Sequence, residues 1–384
     1  MITLKRAKVK GIKRKRPGYI EAVVDVEGNN QRAICYSSLI GEVQPGDDVI
    51  INATAVDLGL GTGGYHFVLW NLMKESIKSQ GSGHIMKLRY TPMQIKCLAI
   101  EENDSLHHET LKEVSSIEGM PVIIGALHSQ LPAATVTIKE LMPQVKIAYV
   151  MTDGAALPLA LSELVAKLKD SDVIDTTITV GHAFGGDIEA INVFSGLAAA
   201  KYAAGADIAV VCMGPGIVGS GTKLGFTGIE QGQVINAVNG LEGVAIAIPR
   251  ISFVDKRERH LGISHHTITA LMVAAVSPAI VTLPEMDEEK EKIVDGQVSR
   301  EGLDTMHTIK KINAGITLGA LRSRGILPTT MGRTIDEEPE FFMAAGAAGI
   351  YAVWVIGESV VQRHRGDAVC EGVLDGERNG ICSC

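Results

Sequence analysis

The chain has 384 residues, 46% apolar, 21% charged and 4% aromatic, an ordinary globular composition that excludes disorder as a whole-chain description. Six Cys are too sparse for a disulfide scaffold, and the paired spacing of a zinc ribbon is missing. The net charge of −8 is unevenly spread, because eight basic and no acidic residues fall between Met1 and Ile20, leaving a formal −16 on the rest.

These basic residues are Lys5, Arg6, Lys8, Lys10, Lys13, Arg14, Lys15 and Arg16. A basic lobe on an acidic body raises the question of a nucleic-acid or membrane-surface partner. The basic start never enters an apolar run, so no signal peptide is expected and a reducing, cytoplasmic setting is.

Residues 1–80 read as short strands rich in β-branched side chains: ITLKRAKVKGI, GYIEAVVDVEG, QRAICYS and DDVIINATAV. Turns at Pro17-Gly18, Gly28-Asn29 and Pro45-Gly46 separate them. The pattern predicts a small β-barrel-like domain of OB or SH3 type, closed by the glycine-rich GLGTGGYHFVLW. The small, polar SQGSGH, residues 79–84, reads as a linker.

From residue 85 to 357 the rhythm alternates strand and helix. IKCLAIEE, PVIIGAL, KIAYVMT, TTITVG, DIAVVCM and VAIAIP are near-continuous apolar runs with amphipathic stretches between them. Such runs predict a mostly parallel, doubly wound α/β domain with its sheet buried on both faces. The last third reads as helical: TITALMVAAV, an acidic stretch near Met286, IKKINAGITLGALRS and EEPEFFMAAGAAGIYAVWV. The last of these is at the short limit for a membrane span and reads as a core helix, so no membrane partner is expected. Residues 358–384 read as a polar tail. Nothing in the sequence sets the oligomeric state.

In open parallel sheets the ligand crevice lies beyond the carboxyl ends of the strands. His128, Asp153, His182, Asp187, Gly214 and Arg250 all follow predicted strands. Each alone suits a turn or helix cap. Their agreement along one rim points to a pocket.

The loop MGPGIVGSGTKLGFTG carries Gly214, Gly216, Gly219, Gly221, Thr222 and Lys223. It satisfies GxGxxG formally, but the next strand ends in Pro249-Arg250 rather than an acid, so a nicotinamide fingerprint fails. A P-loop fails because Thr222-Lys223 stands where Lys-Ser/Thr is required. What survives is a glycine loop whose free amides suit an anion, with Lys223 adding charge. Its alternative is a loop that merely packs closely.

The second cluster is RERHLGISHHT, residues 257–267. Ser264 suits a helix N-cap, putting His265 and His266 in a first turn where the helix dipole favours neutral imidazole. Arg257 and Arg259 suit an anionic substrate. His260, His265 and His266, with Asp187 and Glu189, are enough donors for a metal, but no close ligand spacing is present, so no metal is assigned. Cys212 reads as a buried small hydrophobe. Ser195, His107-His108 and the terminal Cys382 and Cys384 give weak signals.

The chain resembles a bacterial family known as the domain of unknown function 3866 family. The resemblance rests on RYTPMQ, LHSQLP, YVMTDGAALP, TVGHAFGGDIEA, GPGIVGSGTKLGFTG, RERHLGISHHT and TTMGR, which span the chain to about Tyr351. It implies no activity, cofactor or catalytic residue. It associates Gln with the position of His182, which lowers that residue as an essential base.

The expectation is therefore an α/β protein that binds a small phosphate- or carboxylate-bearing ligand at the strand ends, as a hydrolase or transferase. Asp153, Asp187, His260, His265 and His266 are the candidate catalytic residues. The glycine loop with Thr222, Lys223 and Arg257 would hold the anion. The alternative is a nucleic-acid-associated protein using the basic N-terminal domain, in which few aromatics are available for stacking.

Overall fold

The computed structural model describes residues 2–61, 63–78 and 81–376, with side chains described as far as Glu358. Five strands close the N-terminal barrel: β1 (Leu4–Arg16), β2 (Tyr19–Val26), β3 (Asn29–Cys35), β4 (Asp48–Asn52) and β5 (Tyr65–Asn71). The order is β1-β2-β3-β5-β4, and the long β1 pairs with both β2 and β4. Irregularities at Val9/Gly11 and Ile12/Arg14 let one strand bend around the closure. Val9, Ile20, Ala22, Val24, Val49 and Ile51 fill the interior.

The barrel is tied to the rest of the chain at its β1–β2 corner. The Arg16 guanidinium donates to the carbonyl oxygens of Ala160 at 2.7 Å, Leu161 at 3.3 Å and Ser162 at 3.1 Å. Arg14 pairs with Glu163. Gly18 turns there at φ +74°, and a Cβ on it would lie 3.3 Å from that of Ala160.

A small antiparallel hairpin follows, β6 (Ile85–Lys87) with β7 (Ile95–Cys97). IKCLAIEE is thus not a full strand of the parallel sheet: its start belongs to this hairpin, and only an isolated parallel bridge from Ala99 to Glu189 reaches the sheet's edge. The strands after it are β8 (Pro121–Ile124), β9 (Ile147–Thr152), β10 (Thr176–Thr179), β11 (Ile188–Glu189), β12 (Ile208–Met213), β13 (Val244–Ala247), β14 (Ile251–Ser252), β15 (Gly262–Ile263), β16 (Ile280–Pro284) and β17 (Thr308–Ile312). β14 and β15 pair as an antiparallel ribbon, while the other eight form a sheet ordered β11-β10-β9-β12-β8-β13-β16-β17. Every pairing in that sheet is parallel.

Two further expectations need correction. The sheet does not end at VAIAIP, because β16 and β17 extend it. IKKINAGITLGALRS is not one helix: its first part belongs to β17, and Asn313 to Gly315 separate that strand from a helix at Ile316–Ser323.

The connections place helices on both faces. β8 leads through the Leu131–Leu141 helix to β9 on one side, and β12 leads through the Glu230–Gly240 helix to β13 on the other. Two right-handed crossovers in opposite directions put their helices on opposite faces. The Leu131–Leu141 helix packs with the last helix, Pro339–Gly376, whose Phe341, Phe342, Ala344, Ala345 and Ala348 are buried. Residues 339–358 are long and apolar enough to cross a membrane by length and composition, yet 61% of the window is buried within the fold. That helix extends into the stretch read as a polar tail; residues 377–384, with Cys382 and Cys384, lie outside the described residues.

Candidate functional site

The winding of the strand order reverses between the parallel neighbours β12 and β8, so the loops leaving β12, β8 and β13 open apart at their carboxyl ends, where a crevice is expected. Gln231 holds this end together: its buried Nε2 donates to the carbonyls of Ile124 at 2.8 Å and Ile248 at 2.9 Å. Beyond it lies a cavity of about 200 Å³ lined by Ala126, Leu127, Gly219, Gly221, Phe226, Arg250, Arg257, Arg259, His260 and His266, among others. A larger cleft of about 570 Å³ shares Arg259 and adds Lys223, His265, Gln297 and Arg300.

Local chain chemistry explains the meeting of the histidines. A single helical turn, Glu258–His260, is followed by β15, and Ser264 then caps the next helix, His265–Thr269, with its Oγ accepting from the His266 amide. The chain doubles back within five residues. The three rings therefore stand together, with centroids 4.2 Å apart for His265–His266, 5.0 Å for His260–His265 and 5.1 Å for His260–His266. Phe226 stacks on His266 at 4.0 Å and fixes its plane. The helix continues as a π turn, Ala270–Ala274, a form common beside functional sites.

All three imidazoles are held neutral at pH 7. Burial, then Arg250 and Arg257, push His260 down to about 3, while burial, then His265 and Arg250, push His266 to about 4. His265 moves the same way, from burial and then Arg259. The Nε2 atom of each ring is buried and has no hydrogen-bond partner.

Cations surround the rings in two states. Arg250 and Arg257 are tied to Asp255 at 2.9 and 2.7 Å, and the Arg257 hydrogen bond, against burial, holds that carboxyl far below the usual range. Arg259 and Lys223 are exposed and form no hydrogen bond or ion pair among the described residues. These two are free charge at the mouth.

The glycine loop is a small hairpin. Ser220 N donates to Gly225 O at 2.7 Å, Thr227 N to Val218 O at 2.9 Å, and Thr222 Oγ1 accepts from Gly225 N at 3.1 Å. Thr222 thus closes the turn. Gly219 and Gly221 line the smaller cavity, with Arg259 against Gly221. Gly214 is a packing residue, since a Cβ there would lie 2.6 Å from Ala156 O. Gly216 is exposed at φ +105° and lines neither cavity.

Asp153 and Asp187 are not brought to the histidines. The Asp187 carboxylate accepts from Lys169 Nζ at 2.7 Å and from the Thr177 amide and hydroxyl, each at 2.9 Å. Burial works against its ionisation, but those bonds outweigh it and lower the pKa. Asp187 pins β10 to the loop before β11. Asp153 lines a separate cavity of about 280 Å³ with Glu230 and Asn192, and accepts from the His182 amide at 2.9 Å. Glu230 escaped the sequence reading, because an acid opening a helix looks like ordinary dipole complementarity. Burial raises it to about 7, despite the hydrogen bond from Thr152.

The basic strand β1 is mostly paired within the protein. Lys5 meets Asp57, Arg6 Asp48, Lys10 Asp25 and Lys15 Glu42, while Arg14 and Arg16 join the barrel to the body. Lys8 and Lys13 have no ion-pair partner among the described residues.

The fold and its cleft define an α/β protein with a barrel at its start and a cationic, histidine-bearing crevice at the carboxyl rim of a parallel sheet. A family model described as a protein of unknown function (DUF3866) matches residues 32–349, and the chain belongs to that family. The matched span holds the whole parallel sheet and every residue of the crevice named above, while β1 and β2 lie outside it. No curated protein matches the chain.

Proposed function

We propose that the crevice binds a small phosphate- or carboxylate-bearing ligand, and that the chain acts on it by hydrolysis or group transfer. The observation that carries the reading is the pair of unpartnered cations, Lys223 and Arg259, at the mouth of a pocket floored by neutral imidazoles. A guanidinium without a carboxylate partner is a ready donor for an oxyanion, and its position beside a glycine permits close approach. Neutral His266, held flat against Phe226, puts no positive charge of its own on the pocket wall and leaves the binding of the anion to the two cations.

The test is thermal stabilisation of the full chain by inorganic phosphate, pyrophosphate, nucleoside phosphates and citrate. A saturable rise in Tm with at least one of these is expected. Lys223→Ala with Arg259→Ala should weaken it by roughly 10-fold or more, the worth of a hydrogen bond to a charged group. Equal stabilisation of the double variant, or none of the unaltered chain, would remove the reading. The barrel offers less to nucleic acid than its composition suggested, since most of its cations already have partners.

A further inference from the structure

We propose that His260, His265 and His266 form a three-nitrogen site for a first-row divalent ion of the zinc, cobalt or iron type. This goes beyond the anion reading and stands without it. One ring nitrogen from each residue lies within 4.8 Å of the others, and His260 is fully buried. Three imidazoles arranged tetrahedrally around one ion, each bonded at about 2.0–2.1 Å, place their ring centres roughly 5.2 Å apart. The separations of 5.0 and 5.1 Å from His260 to its two partners meet that geometry, and the His265–His266 pair, at 4.2 Å, has to open by about 1 Å to join them.

The second support is the accounting of polar atoms. A buried ring nitrogen without a partner is costly, and here three occur in one cluster. An ion accepting their lone pairs satisfies all three at once. Ser264 supplies the orienting contact: His260 Nδ1 lies 2.7 Å from its Oγ, so an Nδ1–H donating there leaves the Nε2 lone pair for the ion. Arg250 Nη1 also lies 3.3 Å from that Nδ1 and favours the opposite tautomer. Metal binding selects the first and leaves Arg250 to its 2.9 Å contact with Asp255.

The donor set fixes the chemical class. Imidazoles without thiolates or clustered carboxylates suit borderline ions and not magnesium or calcium. With three protein nitrogens the ion keeps an open position for water or an anion. The arginines around it oppose a bare cation, so its affinity should rise when an anion takes that position.

The experiment uses the full chain, stripped with chelator and dialysed against Co²⁺ or Zn²⁺ at neutral pH. One equivalent of Co²⁺ is expected, with visible absorption bands displaced by Zn²⁺ and unaffected by excess Mg²⁺. His265→Gln and His266→Gln should each weaken uptake by at least about 10-fold, and Ser264→Ala by roughly 10–100-fold, as for other orienting partners. No uptake, or uptake unchanged in the His265→Gln/His266→Gln double variant, would overturn the site. If the variants fail to fold, imidazole NMR of the unaltered chain decides. Three rings perturbed together by one equivalent of Zn²⁺ support the site, and perturbation confined to other histidines overturns it.

Discussion

The barrel strand β1 and the crevice loop after β13 are both rich in cations, yet they use them differently. On β1, carboxylates of the same barrel, the Glu163 carboxylate of the body or carbonyls of the neighbouring loop take up six of the eight charges. Around the crevice, Asp255 engages two arginines while Arg259 and Lys223 are left unpaired. The number of charges is therefore a poor guide to a site. Which of them lack a partner is a better one, because only an uncommitted donor has hydrogen bonds to offer a ligand.

The largest expected effect lies in the buried ion pairs of the crevice. The Asp255 side chain is 4% exposed and that of Arg250 10%. Asp255→Ala strands a buried guanidinium and should cost about 3–5 kcal/mol, the range for breaking a buried pair from one side. Urea unfolding at pH 7 measures it. A loss under about 1 kcal/mol, the range of an exposed pair, would show that the crevice network is no tighter than the barrel's surface pairs.

A smaller effect comes with acid. His128, at the carboxyl end of β8, contacts Ser162 Oγ at 2.7 Å and the Met213 carbonyl at 3.2 Å, and burial pushes it down to about 4. Its folded pKa is below the unfolded value of about 6.5, so the unfolded chain binds more protons between these limits. The stabilisation is complete above about pH 6.5 and fades as pH falls toward 4. Asp255, also depressed, adds its own loss only below about pH 4. His128→Gln should flatten the first part of the acid limb in urea titrations at pH 7.5, 6 and 5. An unchanged slope would shift the cause to other groups.

Much of the architecture could be read from residues alone, for clear reasons. β8, β9, β12 and β13 are fully buried or nearly so, and each is a short apolar run, as a two-sided sheet demands. The Ser264 cap was readable because its signal is local. β17 was not: Lys310 and Lys311 are exposed at the sheet's edge, so TIKKI carries no buried pattern and merges with the helix after it. Asp187 looked functional because its partner Lys169 is 18 residues away and enters only with the fold. Glu230 and Asp153 share a cavity for the same reason, one from a helix start and one from a strand end. The histidine cluster lay between these cases: a five-residue turn brought it together, but the three-ring geometry needed coordinates.

The smallest effect belongs to the barrel, and it makes the comparison sharpest. Lys10 reaches Asp25 at 3.1 Å and Lys15 reaches Glu42 at 2.7 Å, with both lysine side chains about half exposed, at 49% and 56%. Water screens such pairs, and holding two long side chains in place costs entropy, so each contributes about 0–1 kcal/mol. Lys10→Ala with Lys15→Ala should therefore leave urea unfolding nearly unchanged and leave phosphate stabilisation intact. Salt should make the difference smaller still, because exposed charges are screened within about 8 Å at physiological ionic strength. If the double variant instead lost several kcal/mol, or lost ligand response, the barrel's cations would be doing more than meeting their neighbours, and the division between paired strand and open crevice would have to be redrawn.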